Sequence, residues 1–194
     1  MHAGVPTLSH HRFRVLAAAA FALAIAAGTP TSSPAAAGLC GPAAHRIPTA
    51  SNLAVAGAAT LCLLNHQRAL HGLPALRVRP SLAAASSRYA HQMVAEHFFG
   101  HVSPSGSTVR ARVASSGYLR GASSWSAGEN VAWGAGAAAT PASIVRAWMH
   151  SAGHRANILA PRFRDLGVGI APGAPAAVGT LAAATYATEF GSRN

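Results

Sequence analysis

Negative charge is the scarcest feature of this chain. Its 194 residues carry four acidic side chains, Glu96, Glu129, Asp165 and Glu189, against 15 cationic ones, all of them arginine. Any mechanism that needs two carboxylates has few residues to draw on. Cysteine is nearly absent too, with Cys40 and Cys62 the only two, which leaves no thiolate cluster for a metal. There is no Gly-x-Ser-x-Gly, no His-Glu-x-x-His and no phosphate-binding glycine loop. The net charge of +11 invites a nucleic-acid reading. Against it, the arginines are scattered and form no basic run. Such a field is better suited to anionic cell-surface polymers or lipid headgroups, with plain solubility as the alternative. The absence of lysine and the abundance of alanine read as GC-rich coding.

The longest apolar run is Val15 to Ala27, preceded by Arg12 and Arg14 and followed by the small residues GTPTSSPAAAG. That is the pattern of a secretory signal peptide over 1–37, with a mature chain starting near Gly38. The run falls short of the roughly 20 residues of a membrane span, although an uncleaved N-terminal anchor is the alternative. Two cysteines in an exported chain are expected to pair, so a Cys40–Cys62 disulfide is predicted, within or next to an N-terminal loop over 38–51. Closing that loop stabilises by about 3 kcal/mol in the chain-entropy account. The other possibility is two reduced thiols, with Cys62 buried on a helix.

The domain proper is expected over 52–194. A helix is predicted from Asn52 to His71, stopped by Gly72 and Pro74, with Asn65 and Arg68 available for polar contacts. A second follows Pro80, where Leu82, Ala85, Tyr89 and Met93 form one stripe. Thr108 to Ser116 is a shorter helix, and Thr140-Pro141 is an N-cap with proline at the first helical position. The helix it opens carries Ile144, Val145 and Trp148, and Trp148 is expected to anchor the core. Strands are predicted at Glu129–Trp133, Leu166–Ile170 and Leu181–Phe190. Helices interleaved with non-consecutive strands imply an α+β layered fold with a mostly antiparallel sheet.

Three polar stretches interrupt the apolar pattern: FFGHVSPSG (98–106), AGENVAWG (127–134) and WMHSAGHRANIL (148–159). Each places a titratable residue beside a glycine or small residue, where the backbone can be approached closely. Taken singly, Glu129 could as well tie down loop N–H groups while the histidines sit on the surface.

In their order and spacing the three stretches resemble the bacterial branch of the CAP superfamily, the cysteine-rich secretory, antigen 5 and pathogenesis-related 1 proteins that share the SCP domain. The residues carrying the resemblance are Asn65 and Arg68, then Phe99, His101, Ser103 and Pro104. Gly128, Glu129 and Asn130 follow, then Trp148 through Leu159, and last Gly167 to Gly169. The resemblance implies a three-layer α-β-α sandwich with a large cleft holding two histidines and two glutamates. His101, Glu129 and His154 match three of the four, with Asn130 and Ser103 expected to border the cleft. The second glutamate would fall near Ser151, which is not acidic; Glu96 or Glu189 can replace it only if the fold brings one close. His97 and His150 match no motif and are read as ordinary surface or packing residues.

The expectation is an exported, monomeric protein, secreted or associated with the cell envelope. Its cleft would bind a ligand or a divalent metal such as Zn²⁺ through His101, His154 and Glu129, with Glu129 as a third ligand or as the group orienting one imidazole. Cell-wall polymer, lipid or another anionic envelope component are the expected partners, and nucleic acid is not. The alternative is a cell-wall (peptidoglycan) hydrolase using Glu129 and the cleft histidines. Whether the chain is an enzyme stays open at this point.

Overall fold

The structure is a computed structural model that describes Gly38 and residues 40–194. The signal-peptide segment 1–37 lies outside the described residues. Five α-helices and four strands follow one another among the described residues. They are α1 (Leu53–Leu70), β1 (Arg77–Val78), α2 (Pro80–Ala95), α3 (Val109–Ser115), β2 (Trp125–Ala135), α4 (Pro141–His150), α5 (Ala152–Ile158), β3 (Asp165–Pro172) and β4 (Ala183–Arg193). Two single 3₁₀ turns, Pro42–His45 and Gly136–Ala139, complete the set. Thr108 and Thr140 cap α3 and α4 as predicted, their hydroxyl oxygens accepting from the N–H groups of Ala111 and Ser143.

The strands form one sheet in the order β1-β3-β4-β2. Its β2–β4 and β3–β4 pairings are antiparallel, but β1 runs parallel to β3, so the sheet is mixed, not mostly antiparallel. The strand responsible is two residues long with no alternating apolar pattern, which is why it left no trace in the sequence. α5 was equally hidden, because Ser151 is extended and splits what reads as one continuous helical stretch into α4 and α5.

Three layers follow from which face each strand residue takes. On one face, Leu166, Ile170, Tyr186 and Phe190 pack with Leu64 of α1, Ile144 and Trp148 of α4 and Ile158 of α5. On the other, Val131, Ala171 and Ala187 meet Tyr89, Ala90 and Met93 of α2. Leu82, Val113 and Tyr118 form a smaller cluster beside them. β4 lies between helices on both faces, and residues Ala183 to Gly191 are all buried. The glycines of β3 explain how closely α2 can approach. A Cβ on Gly167 would run into the backbone of Leu82, and one on Gly169 into the backbone of Ser86 and Ser87.

Two anchors tie the first helix in. Cys40 and Cys62 are bonded, as the sequence predicts, with Cα atoms 5.7 Å apart. Arg68, fully buried, donates from Nη1 to the carbonyls of Ile158 (2.7 Å) and Ala160 (3.1 Å), from Nη2 to Phe163 (3.1 Å) and from Nε to Pro74 (2.8 Å). A buried guanidinium with only carbonyl partners is disfavoured as a cation, and its pKa is lowered by burial first and then by Arg164.

Trp148 is 1 % exposed and its indole N–H donates to the Val131 carbonyl at 3.2 Å, so it is both core and brace. Trp148→Ala is expected to cost about 3–5 kcal/mol of unfolding free energy. Chemical denaturation of the variant checks this, and a midpoint equal to the parent's would contradict it.

Candidate functional site

Arg112 sits on the short α3 at the apolar positions shared with Val109 and Val113, yet it is 8 % exposed. Its guanidinium lies 3.3 Å over the centre of the Tyr89 ring. Nη1 donates to the Ser107 carbonyl (2.8 Å), and Nη2 donates to the His101 carbonyl (3.0 Å) and to Glu129 Oε2 (2.5 Å). One side chain thus holds both ends of the loop from His101 to Ser107 and pairs with the carboxylate on β2. Tyr89 fixes the start of that loop from below, donating its hydroxyl to the Gly100 carbonyl at 2.7 Å. Burial pushes the Tyr89 pKa up to about 12, against the opposing pull of Arg112, so it stays a donor.

Glu129 is buried, and its second oxygen, Oε1, lies 2.7 Å from His101 Nδ1. Directly across the ladder from Glu129 is Glu189 of β4. Glu189 therefore reaches the same guanidinium, with Oε1 3.9 Å from Arg112 Nε. That is too far for a hydrogen bond, and neither Glu189 oxygen has a hydrogen-bond partner. Its pKa is raised well above the usual carboxylate range, by burial first and next by the Glu129 charge. Arg112 thus has one buried carboxylate hydrogen-bonded to it and a second held beyond hydrogen-bond distance. Glu189 is the second glutamate that the fold brings close; Glu96 is exposed at the end of α2, where it accepts from Gln92.

The cleft opens beside this network. A cavity of about 490 Å³ is lined by Phe99, Gly100 and His101, by Val131, Ala132 and Trp133 of β2, by Ala147, Trp148 and Ser151, and by His154 of α5. It lies along β2, the free edge of the sheet. That edge is blunted by side chains. Asn157 Nδ2 donates to the Glu129 carbonyl (3.0 Å) and Trp148 Nε1 to the Val131 carbonyl.

The expected site residues fall into two groups. His101 and His154 both face the cavity, and Glu129 stands behind His101. His154 makes no hydrogen bond to Glu129, so the two imidazoles do not converge on one carboxylate. Its ring lies 6.4 Å from that of Trp148, tilted by 46°. Asn130 and Ser103 do not line the cavity. Asn130 Nδ2 donates to the His154 carbonyl (3.1 Å), and Asn130 Oδ1 accepts from Asn157 (3.0 Å), which fastens α5 to β2. Ser103 Oγ accepts from the Ser107 N–H (3.0 Å) and closes the loop. Sequence reasoning missed Arg112, although an arginine at i+3 between Val109 and Val113 on an apolar face was a signal of burial.

The donor set can be tested against a metal. Among the described residues no three His, Cys, Asp or Glu side chains are grouped to hold one. Glu129 has both oxygens engaged, which suits it to orienting His101 and not to direct ligation. With Nδ1 turned to Glu129, His101 keeps Nε2 for a bound group, the carboxylate–histidine arrangement common behind metal ligands. His101 and His154 are thus the two cavity-lining side chains with ring nitrogens to offer a ligand. A carboxylate pair for hydrolysis has no such support, since no acidic side chain lines the cavity.

A family model described as the cysteine-rich secretory protein family, CAP, matches residues 61–183. The chain belongs to this family. It is 36 % identical over 107 residues to the uncharacterized protein YkwD of Bacillus subtilis, a stretch covering 55 % of this chain and 39 % of YkwD. Among solved structures, an extracellular protein containing an SCP domain from Bacillus anthracis aligns with a TM-score of 0.53 at 27 % identity, covering 72 % of this chain and 40 % of that one. An outer surface protein from Borrelia burgdorferi aligns with a TM-score of 0.51 at 16 % identity, over 68 % of this chain and 87 % of that one. The latter likeness shows the fold alone. This CAP chain thus spans about two fifths of the length of its Bacillus relatives.

His154 has a pKa lowered from the usual histidine value, by burial first and then by the charge of His101. A lowered folded value contributes stability that is present above the unfolded pKa near 6.5 and is lost as pH falls through the folded value. An NMR titration of the His154 ring is expected to give a midpoint below 6.5, moving part of the way back in His101→Asn. A midpoint at or above 6.5 would contradict the burial.

Proposed function

We propose that this CAP-domain chain is an exported binding protein of the extracellular space or cell envelope, whose cleft takes a divalent transition metal, Zn²⁺ the best fit, between His101 and His154. The observation that carries this reading is the buried Glu129 behind His101. It fixes one ring nitrogen and leaves the other for coordination, while burial keeps His154 neutral at physiological pH. The bound metal would supply Lewis acidity or a docking point for a ligand's anionic group. The rest of the cleft, Phe99, Val131, Trp133 and Trp148, offers apolar wall to the body of such a ligand. Export is supported by the extracellular SCP protein of Bacillus anthracis and by the disulfide. Among the described residues no helix is long and apolar enough to cross a membrane.

Two protein ligands make a weaker site than the four of a structural zinc. Both rings must be unprotonated to bind, so occupancy falls as pH drops through about 6.5 and below. Calorimetric titration of EDTA-stripped protein with Zn²⁺ is expected to show binding at pH 7.5 and weaker binding at pH 5.5. It should show none in the His101→Ala/His154→Ala double variant at either pH. No heat at pH 7.5, or equal binding by the double variant, would overturn the reading.

A further inference from the structure

Six arginines that are scattered through the sequence meet in one place. Arg77, Arg79, Arg120, Arg162, Arg164 and Arg193 line a second cavity, of about 630 Å³, together with Gly121, Ala122, Asp165, Ser192 and Asn194. The register of the sheet brings them together. Arg77 pairs with Asp165 at the start of β1 and β3, and Asp165 with Gly191 near the end of β4. Arg193 pairs in turn with Trp125 at the start of β2. All four strands thus present the same end to this cavity, and none of its lining residues borders the histidine cleft.

Asp165 is the one acidic side chain there, and it is already taken. It is 3 % exposed and lies 2.9 Å from Arg79 Nε and 3.6 Å from Arg77 Nη2, while Oδ2 accepts from the Tyr118 hydroxyl at 2.8 Å. Arg120, Arg162, Arg164 and Arg193 have no side-chain carboxylate within ion-pair distance among the described residues. Three of them are instead held by neutral groups. Arg193 Nη1 donates to the carbonyls of Tyr118 (2.8 Å) and Arg120 (3.0 Å), with its guanidinium 5.3 Å from the Tyr118 ring centre. Arg164 Nη1 donates to the carbonyls of Phe163 (3.0 Å) and Pro161. The Arg162 guanidinium stands 4.5 Å over the Phe163 ring. Six guanidiniums share this space with one carboxylate, so among the lining side chains positive charge is largely uncompensated. Guanidinium forks match the oxygens of phosphate, and several forks converging on one space suit a ligand with several phosphates.

We propose that this cavity is an anion site for a compact, phosphate-rich polyanion, either a soluble phosphodiester polymer or the phosphate headgroups of a lipid surface. No aromatic side chain lines it, so it offers no platform for stacked bases, which argues against single-stranded nucleic acid. Arg77, Arg120 and Arg162 are exposed, so the contacts are partly screened and binding weakens with added salt.

The test uses metal-free protein, so that the histidine cleft plays no part, and calorimetry with inorganic tripolyphosphate and orthophosphate at low and physiological salt. Tripolyphosphate is expected to bind about tenfold or more tightly than orthophosphate, because one phosphate cannot span the forks. Arg77→Gln/Arg120→Gln/Arg162→Gln should weaken it about tenfold, whereas Arg46→Gln/Arg88→Gln/Arg146→Gln, with equal loss of charge at other exposed arginines, should change it by less than about twofold. Sedimentation with phosphatidylglycerol vesicles, and not with phosphatidylcholine ones, abolished only in the cavity variant, assigns the phosphate to lipid. Tripolyphosphate binding without vesicle sedimentation assigns it to a soluble polymer. Equal weakening in the two triple variants would overturn the site. So would tighter binding of citrate or of a single-stranded oligonucleotide than of tripolyphosphate.

Discussion

The Arg112 guanidinium is the interaction on which the site depends. It is a buried cation with Glu129 paired to it, Glu189 facing it at 3.9 Å, two loop carbonyls on its outer nitrogens and an aromatic ring against its face. Burying a charge is costly unless it is paired and hydrogen-bonded, and a buried pair offsets its own desolvation only with good geometry. Here the geometry has a second use. The same contacts made by the outer nitrogens of Arg112 hold Glu129 beside His101 and tie down both ends of the His101–Ser107 loop.

A chain this poor in carboxylates spends them inside. Glu129, Glu189 and Asp165 are all buried, and each faces an arginine. Only Glu96 is left on the surface. The exterior is consequently cationic almost without relief, which is what allows six guanidiniums to gather at one end of the sheet. The shortage of acid and the concentration of arginine are two sides of one arrangement, and both leave this CAP domain with a strongly cationic surface field.

Most of the fold was legible in the sequence because periodicity and capping act locally. The stripe of Leu82, Ala85, Tyr89 and Met93 is buried as a stripe, and the caps at Thr108 and Thr140 stand where the residue types put them. The site was legible in part. Motif spacing led to His101, Glu129 and His154, but not to how they relate, because that depends on register. Glu189 faces Glu129 only through the β2–β4 ladder, and His154 reaches the cleft on a helix set apart by an extended Ser151. The arginine cavity was the least visible, since its members come from the ends of β1, β3 and β4 and the segments beside them, and no local pattern announces such a meeting.

A double-mutant cycle between Arg112→Met and Glu129→Gln tests the central claim most directly. Arg112→Met leaves the Glu129 side chain without its cation and Glu129→Gln leaves the guanidinium without its carboxylate, while the double variant removes both charges. The account predicts that the two losses in unfolding free energy do not add, with a coupling of about 2–3 kcal/mol. Losses that add to within about 0.5 kcal/mol would mean that Arg112 and Glu129 stabilise the domain independently, and that the site is held together by something else.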